Sequence, residues 1–110
     1  MCIFCSIGSG EIPSEYLFES PNVVAFNDLN PQAPTHILII PRAHFENAAE
    51  LAAAAPETMA ELFEAAASIA TTRGLDGYRI VFNTGASAGQ SVFHAHLHLL
   101  AGRAFAWPPG

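Results

Sequence analysis

Three histidines stand at alternate positions, His94, His96 and His98, within Ser91-Val92-Phe93-His94-Ala95-His96-Leu97-His98-Leu99-Leu100. In an extended strand alternate side chains share a face. The spacing therefore predicts three imidazoles on one face and Phe93, Ala95, Leu97 and Leu99 on the other. Packing alone gives no reason for three imidazoles in five residues. Two chemistries do. Neutral imidazole is a zinc or copper ligand, although three rings on one straight strand rarely converge on one ion. Neutral imidazole also attacks phosphorus, splitting one hard step into two through a phosphoramidate intermediate. A protonated neighbour then stabilises charge on the transferring group.

The loop before the histidines bears on this choice. Asn83-Thr84-Gly85-Ala86-Ser87-Ala88-Gly89-Gln90-Ser91 is rich in small residues. Such a loop lets backbone N–H groups approach an anion closely, and the Ser91 hydroxyl can give or relay a proton. Joined directly to the histidine segment, it points to phosphate. By itself it is equally a plain hairpin connection.

A second chemical cluster opens the chain, where Cys2 and Cys5 form a Cys-x-x-Cys pair. In a reducing compartment such a pair is more often a metal half-site or two free thiols than a structural disulfide. The Met1-Cys2-Ile3-Phe4-Cys5 start lacks the basic opening and long apolar run of a signal peptide, and no segment has the length of a membrane span. A cytoplasmic protein is the expectation.

The elements that must position these residues follow from pattern. With 110 residues and 51% hydrophobic content, one domain over residues 1–110 is expected. Val23 to Asn27 and Thr35 to Ile40 read as strands, the second well buried and closed by Pro41. Asp28 to Pro34 is a turn. Phe45 to Ala54 reads as one helix. Pro56 opens a second, with Glu57 near its positive end and Gly74 as its cap. Met59, Leu62, Phe63, Ala66, Ile69 and Ala70 form its apolar stripe. Tyr78 to Phe82 and Val92 to Leu100 read as further strands, before an irregular Trp107-Pro108-Pro109-Gly110 tail. Strands grouped around two helices predict an α+β domain with a mainly antiparallel sheet.

Net charge sets the partners. The formal charge is −6 with four Lys and Arg in all. That is a poor match for nucleic-acid backbone or for an anionic membrane surface, and neither is expected as a partner. A small anionic substrate is compatible if positive potential is local.

His94-x-His96-x-His98 followed by two apolar residues resembles the motif of the histidine triad (HIT) superfamily. Pro31-Gln32-Ala33-Pro34-Thr35-His36, Gly89-Gln90-Ser91-Val92, Gly102-Arg103 and Trp107-Pro108-Pro109-Gly110 extend the likeness along nearly the whole chain. Ser91 and the tail are similar to the Hint branch, the histidine triad nucleotide-binding proteins that act as nucleoside phosphoramidases. The diadenosine polyphosphate hydrolase branch usually has Thr at the Ser91 position. The galactose-1-phosphate uridylyltransferase branch replaces the last histidine with Gln.

The resemblance implies a HIT fold. Each protomer has a five-stranded sheet and two helices, and two protomers join as a ten-stranded sheet in a homodimer. It implies purine nucleotides of the AMP or GMP type, and their phosphoramidates, as ligands. His96 would attack the α-phosphorus while the His94 carbonyl holds its ring. His98 and His36 would support the phosphate and its charge. Asn83, Gly89 and the Gln90-Ser91 backbone would hold phosphate oxygens, with Ser91 assisting the departing amine. Asp28 would accept ribose hydroxyls, and Phe4, Ile7, Phe26 and Leu29 would wall the base. By residue type alone, Phe4, Phe26 and Leu29 read rather as core, Asp28 as a turn cap and His36 as a buried histidine.

Many bacterial members resemble this N-terminus and complete a tetrahedral site with two histidines, here His44 and His94. The implied set is Cys2, Cys5, His44 and His94, whose S2N2 chemistry zinc prefers in closed structural sites. The chemistry itself would require no cofactor. Ala106 departs from members that carry a histidine before the tail, which bears on the leaving group. Other expectations are hydrolysis of acyl adenylates or dinucleoside polyphosphates, a non-catalytic nucleotide-binding or interaction module, and a metal-handling protein.

Overall fold

A computed structural model of the chain describes residues 2–110. Its strands are β1 (Phe18–Glu19), β2 (Val23–Asn27), β3 (Thr35–Pro41), β4 (Arg79–Val81) and β5 (Leu97–Ala101). They form one sheet in the order β1-β2-β3-β5-β4. Every pairing is antiparallel. The helices are α1 (Ile3–Ser9), α2 (Ala48–Ala54) and α3 (Pro56–Arg73), with a short 3-10 turn at Ala86–Ala88.

Both faces of β2 and β3 are covered, which is why their sequences are almost continuously apolar. On one face Val23, Ala25, Ile37, Ile39, Leu97 and Leu99 meet Leu51 of α2 and Leu62, Ala65, Ala66 and Ile69 of α3. On the other, Val24, Phe26, Leu38 and Ile40 meet Phe4 of α1. Gly8 lets α1 approach closely, since a Cβ there would lie 3.3 Å from the Arg42 Cα. Arg42 then clasps the helix end, donating from its guanidinium to the Gly8 carbonyl at 2.8 Å and to the Ser20 carbonyl at 3.0 Å. The Tyr16 hydroxyl donates to the Ile7 carbonyl.

Several expected boundaries move. The helix expected from Phe45 starts at Ala48, because Asn47 caps it by accepting the Glu50 N–H at 2.9 Å. The Pro56 start and the Gly74 cap of α3 hold, with Gly74 at φ 64°. Phe63 leaves the buried stripe. It is 44% exposed and sits beside Phe82, its place against the sheet taken by Ala65. Helix α1 was not foreseen: it is seven residues long and has no side-chain cap. Among the described residues there are thus three α-helices rather than two. Strand β1 was missed for a similar reason, being two residues long.

The largest change concerns the histidines. The strand expected from Val92 begins only at Leu97. His94 lies in a bend and His96 in irregular backbone before it, so the three rings do not line one strand face.

Candidate functional site

His94, His96 and His36 each take their polarity from one backbone partner. The His94 ring, fully buried, approaches the Pro41 carbonyl through Nε2 at 2.8 Å. A carbonyl only accepts, so Nε2 carries the hydrogen and Nδ1 presents a lone pair. His96 places Nδ1 2.8 Å from the His94 carbonyl, so its hydrogen is on Nδ1 and its Nε2 is the bare nitrogen. His36 shows the opposite polarity. The Gln32 N–H donates to its Nδ1 at 3.0 Å, so neutral His36 carries its hydrogen on Nε2.

That Nε2 hydrogen faces two acceptors. His98 Nδ1 is 2.9 Å away and Asp28 Oδ2 3.3 Å away. His36 and His98 meet because β3 and β5 are neighbours in register, with His36 opposite Leu100 and Leu38 opposite His98. The two histidines are diagonal on one face, within reach of ring side chains. With Nδ1 accepting, neutral His98 carries its hydrogen on Nε2. Among the described residues, this Nε2 is the buried side-chain polar atom without a hydrogen-bond partner. The chain of polarity runs from the Gln32 N–H through two rings to one unpaired donor. Burial pushes the His98 pKa down to about 4, with His96 and His36 adding repulsion and Asp28 opposing. Burial also lowers that of His36 against the pull of Asp28. Both shifts favour the neutral rings.

His96 and His98 lie at one side of a cavity of about 370 Å3. Phe4, Ile7, Phe26, Leu38 and Val92 give it apolar walls, with Asp28, Leu29 and Ser91 also on its lining. Leu29 is fully exposed, so it forms rim rather than wall. Asp28 serves as turn cap as well, its Oδ1 accepting the Asn30 N–H at 2.8 Å.

The residues expected around phosphate divide. Ser91 is exposed at the cavity. Asn83 sits near Gly89, its Nδ2 4.0 Å from where a Gly89 Cβ would lie. Neither Asn83 nor Gly89 nor Gln90 lines the cavity. The Gln90 N–H donates to the Gly85 carbonyl at 3.2 Å, and the Gly89 N–H to that of Ala86 at 3.0 Å. The buried Gln90 side chain accepts the Gly85 N–H and donates to the Glu46 and Val92 carbonyls. Gln90 thus braces the loop from within, which its position in a small-residue run did not reveal.

A second cluster lies behind the first. His94 Nδ1 is 3.5 Å from both Cys2 Sγ and Cys5 Sγ, and His44 Nδ1 is 3.3 Å from Cys5 Sγ. All four ligand atoms lie within 4.8 Å of one another. Zinc–sulfur bonds of about 2.3 Å and zinc–nitrogen bonds of 2.0–2.1 Å set tetrahedral S and N ligands about 3.5 Å apart. The set fits zinc in donor type, number and spacing, and the Pro41 carbonyl supplies the outer hydrogen bond such a ligand histidine needs. The group Asp28, His36 and His98 is as compact but fits poorly, because the Nε2 hydrogen of His36 points where an ion would sit. Tyr16 and Arg42, which seat α1 and so Cys2, Cys5 and Phe4, were not foreseen. Their signal is tertiary.

An antiparallel α+β sheet that brings an oriented imidazole with one bare nitrogen to an apolar cavity, beside a histidine pair across two strands, defines a narrow class. The chain belongs to the HIT family: the HIT domain profile matches residues 9–105. It is 43% identical over 103 residues to the purine nucleoside phosphoramidase of Escherichia coli, covering 92% of this chain and 87% of that protein. It is 49% identical over 112 residues to the 14 kDa zinc-binding protein of Zea mays, covering 98% and 87%. A HIT family hydrolase from Legionella pneumophila superposes with a TM-score of 0.94 at 46% identity, all of both chains being covered.

Proposed function

We propose that this protein is a hydrolase that binds purine nucleotides and cleaves nucleoside phosphoramidates to a nucleoside monophosphate and an amine. The observation that carries this reading is the His96 ring, held by its Nδ1–H on the His94 carbonyl with Nε2 bare beside the cavity. The name of the E. coli relative supports the substrate class, and that of the Legionella structure supports hydrolysis.

The base occupies the apolar walls and Asp28 takes the ribose hydroxyls. His96 Nε2 attacks the α-phosphorus. The Nε2–P bond forms as the P–N bond to the amine breaks, and Ser91 relays a proton from solvent to the amine nitrogen. The His98 Nε2–H donates to a phosphoryl oxygen as charge develops there. The phosphorylated His96 ring is cationic, and the His94 carbonyl stabilises it. Water then attacks phosphorus, the Nε2–P bond breaks, and the water proton returns to solvent. We also propose that Cys2, Cys5, His44 and His94 hold a structural zinc that ties α1 to the segment before β5. No chemical step uses it. Two copies are proposed to join along the unpaired β4 edge beside the half-exposed Phe63 and Tyr78. Light scattering should then give twice the 11.7 kDa chain mass.

The test is turnover of an adenosine phosphoramidate carrying a fluorescent amine. Wild type should release the amine, and His96→Ala and His96→Asn should not while still binding AMP. Binding of AMP by wild type without turnover would leave a nucleotide-binding module, or an enzyme for acyl adenylates or dinucleoside polyphosphates. No binding at all would end the nucleotide reading.

A further inference from the structure

The polarity of the His36–His98 pair starts at one backbone N–H, that of Gln32. Gln32 is exposed in the loop between β2 and β3 and is flanked by Pro31 and by Ala33-Pro34. A hold from outside the loop would keep that N–H aimed. The segment after β5 does so with two contacts.

Arg103 donates from Nε to the Gln32 carbonyl at 2.9 Å, across 71 positions of sequence. Its guanidinium is itself fixed. It donates from an Nη to the Ala104 carbonyl at 3.0 Å and lies 4.3 Å over the Phe105 ring. The neighbouring Gly102 turns the chain onto Pro34. Its φ is 95°, and a Cβ there would stand 2.8 Å from the Pro34 Cβ, so only glycine fits this approach. Inside the loop the Gln32 side chain donates to the Asn30 carbonyl at 3.0 Å. Arg103 and Gly102 thus grip the loop at Gln32 and Pro34, just before the Thr35–His36 start of β3.

We infer that Arg103, seated by Gly102 and Phe105, is a positioning residue for catalysis. Through the Gln32 carbonyl it fixes the residue whose N–H, on the preceding peptide unit, keeps the His36 hydrogen on Nε2 and, through His98, a donor at the phosphate. Without this grip the loop shifts, Nδ1 of His36 loses its donor and the ring exchanges between tautomers. His98 then no longer presents an Nε2 hydrogen reliably. Arg103 touches neither the cavity walls nor the nucleophile, so nucleotide affinity is spared while the chemical step suffers. The kinetic part of this inference rests on the phosphoramidase reading; the tautomer part does not.

The experiment compares wild type, Arg103→Ala, Arg103→Lys and Phe105→Leu on the fluorogenic adenosine phosphoramidate. AMP affinity and the His36 imidazole nitrogen chemical shifts are measured alongside. A misplacement of about 1 Å from a change far from the chemistry can cost on the order of 10^2-fold in rate, and a smaller shift correspondingly less. Arg103→Ala should therefore lower kcat about tenfold and leave KM and the AMP Kd within about twofold. Arg103→Lys keeps one donor and should recover most of the loss. Phe105→Leu frees the guanidinium without removing it and should fall between them. In wild type the His36 nitrogens should report one tautomer, protonated at Nε2, and in Arg103→Ala a mixture. A folded Arg103→Ala protein with kcat within twofold of wild type and an unchanged tautomer overturns the inference. So does an equal loss in Arg103→Lys with the tautomer unmoved, which marks general loosening. If wild type shows no turnover, the functional reading fails on its own account, and the nitrogen shifts alone decide whether the clasp sets the ring.

Discussion

Two histidine clusters lie on either side of His96, built from the same side chain and made opposite by the backbone. In the rear cluster a carbonyl, Pro41, takes the ring hydrogen of His94 and leaves a lone pair facing two thiols and a second imidazole. In the front cluster an amide, Gln32, occupies the lone pair of His36 and leaves a hydrogen facing Asp28 and His98. Lone pairs that converge suit a cation. A hydrogen aimed at acceptors suits a relay. His96 follows the rear pattern, with the His94 carbonyl as its acceptor, and so has a nucleophilic nitrogen to offer. For His94, His96 and His36 one backbone hydrogen bond decides which nitrogen is bare, and with it the chemistry.

The comparison can be broken most severely at His96. If His96 is the nucleophile, replacement by Ala should lower kcat by roughly 10^4-fold or more. AMP binding measured by calorimetry should persist. His94→Ala should remove the metal from the purified protein. It should also cost about 2–4 kcal/mol of stability, since it empties a buried site and orphans the Pro41 carbonyl. Metal analysis and a denaturant midpoint check both.

Cys2→Ser with Cys5→Ser sharpens the distinction. It should abolish the metal and lower Tm. More than half of kcat should remain, because the carbonyl that orients His96 is backbone and needs no ion. In the front cluster, Asp28→Asn should raise KM about tenfold for a ribonucleotide substrate, the scale of one hydrogen bond to a charged group. A substrate lacking the ribose hydroxyls should be much less affected.

The smallest effect is expected from pH. His98 titrates near 4 in the fold and near 6.5 when unfolded. Between those values the unfolded chain binds more protons, so stability is greatest above 6.5 and falls as the pH drops toward 4. His36 is shifted the same way by burial. A reversible fall in Tm from pH 7 to pH 5 is the expected signature. A flat profile would remove the buried, neutral relay.

How much of this was legible differs by element. The apolar runs of β2 and β3 announced themselves because both faces are buried. Pro56 and Gly74 marked α3 because each carries its conformational rule in its own side chain or lack of one. Helix α1 did not show, since its seven residues are held by Arg42 and Tyr16 from elsewhere in the chain. Phe63 was assigned to the core on spacing alone, whereas the edge of the helix–sheet contact falls at Ala65. The histidine spacing announced chemistry but implied a straight strand, and the chain bends before Leu97.

By itself the sequence determined the residue chemistry: which groups can be nucleophiles, thiols, donors or apolar walls, and which short runs extend or coil. It also set the antiparallel α+β class, through local periodicity and turn residues. The tertiary structure alone decided which nitrogen of each ring bears the hydrogen. It brought Cys2 and Cys5 to His94, and Gly102 and Arg103 to the Gln32 loop. Those outcomes depend on single hydrogen bonds between residues far apart in the chain, and a local pattern carries no record of which distant carbonyl or amide a ring will meet.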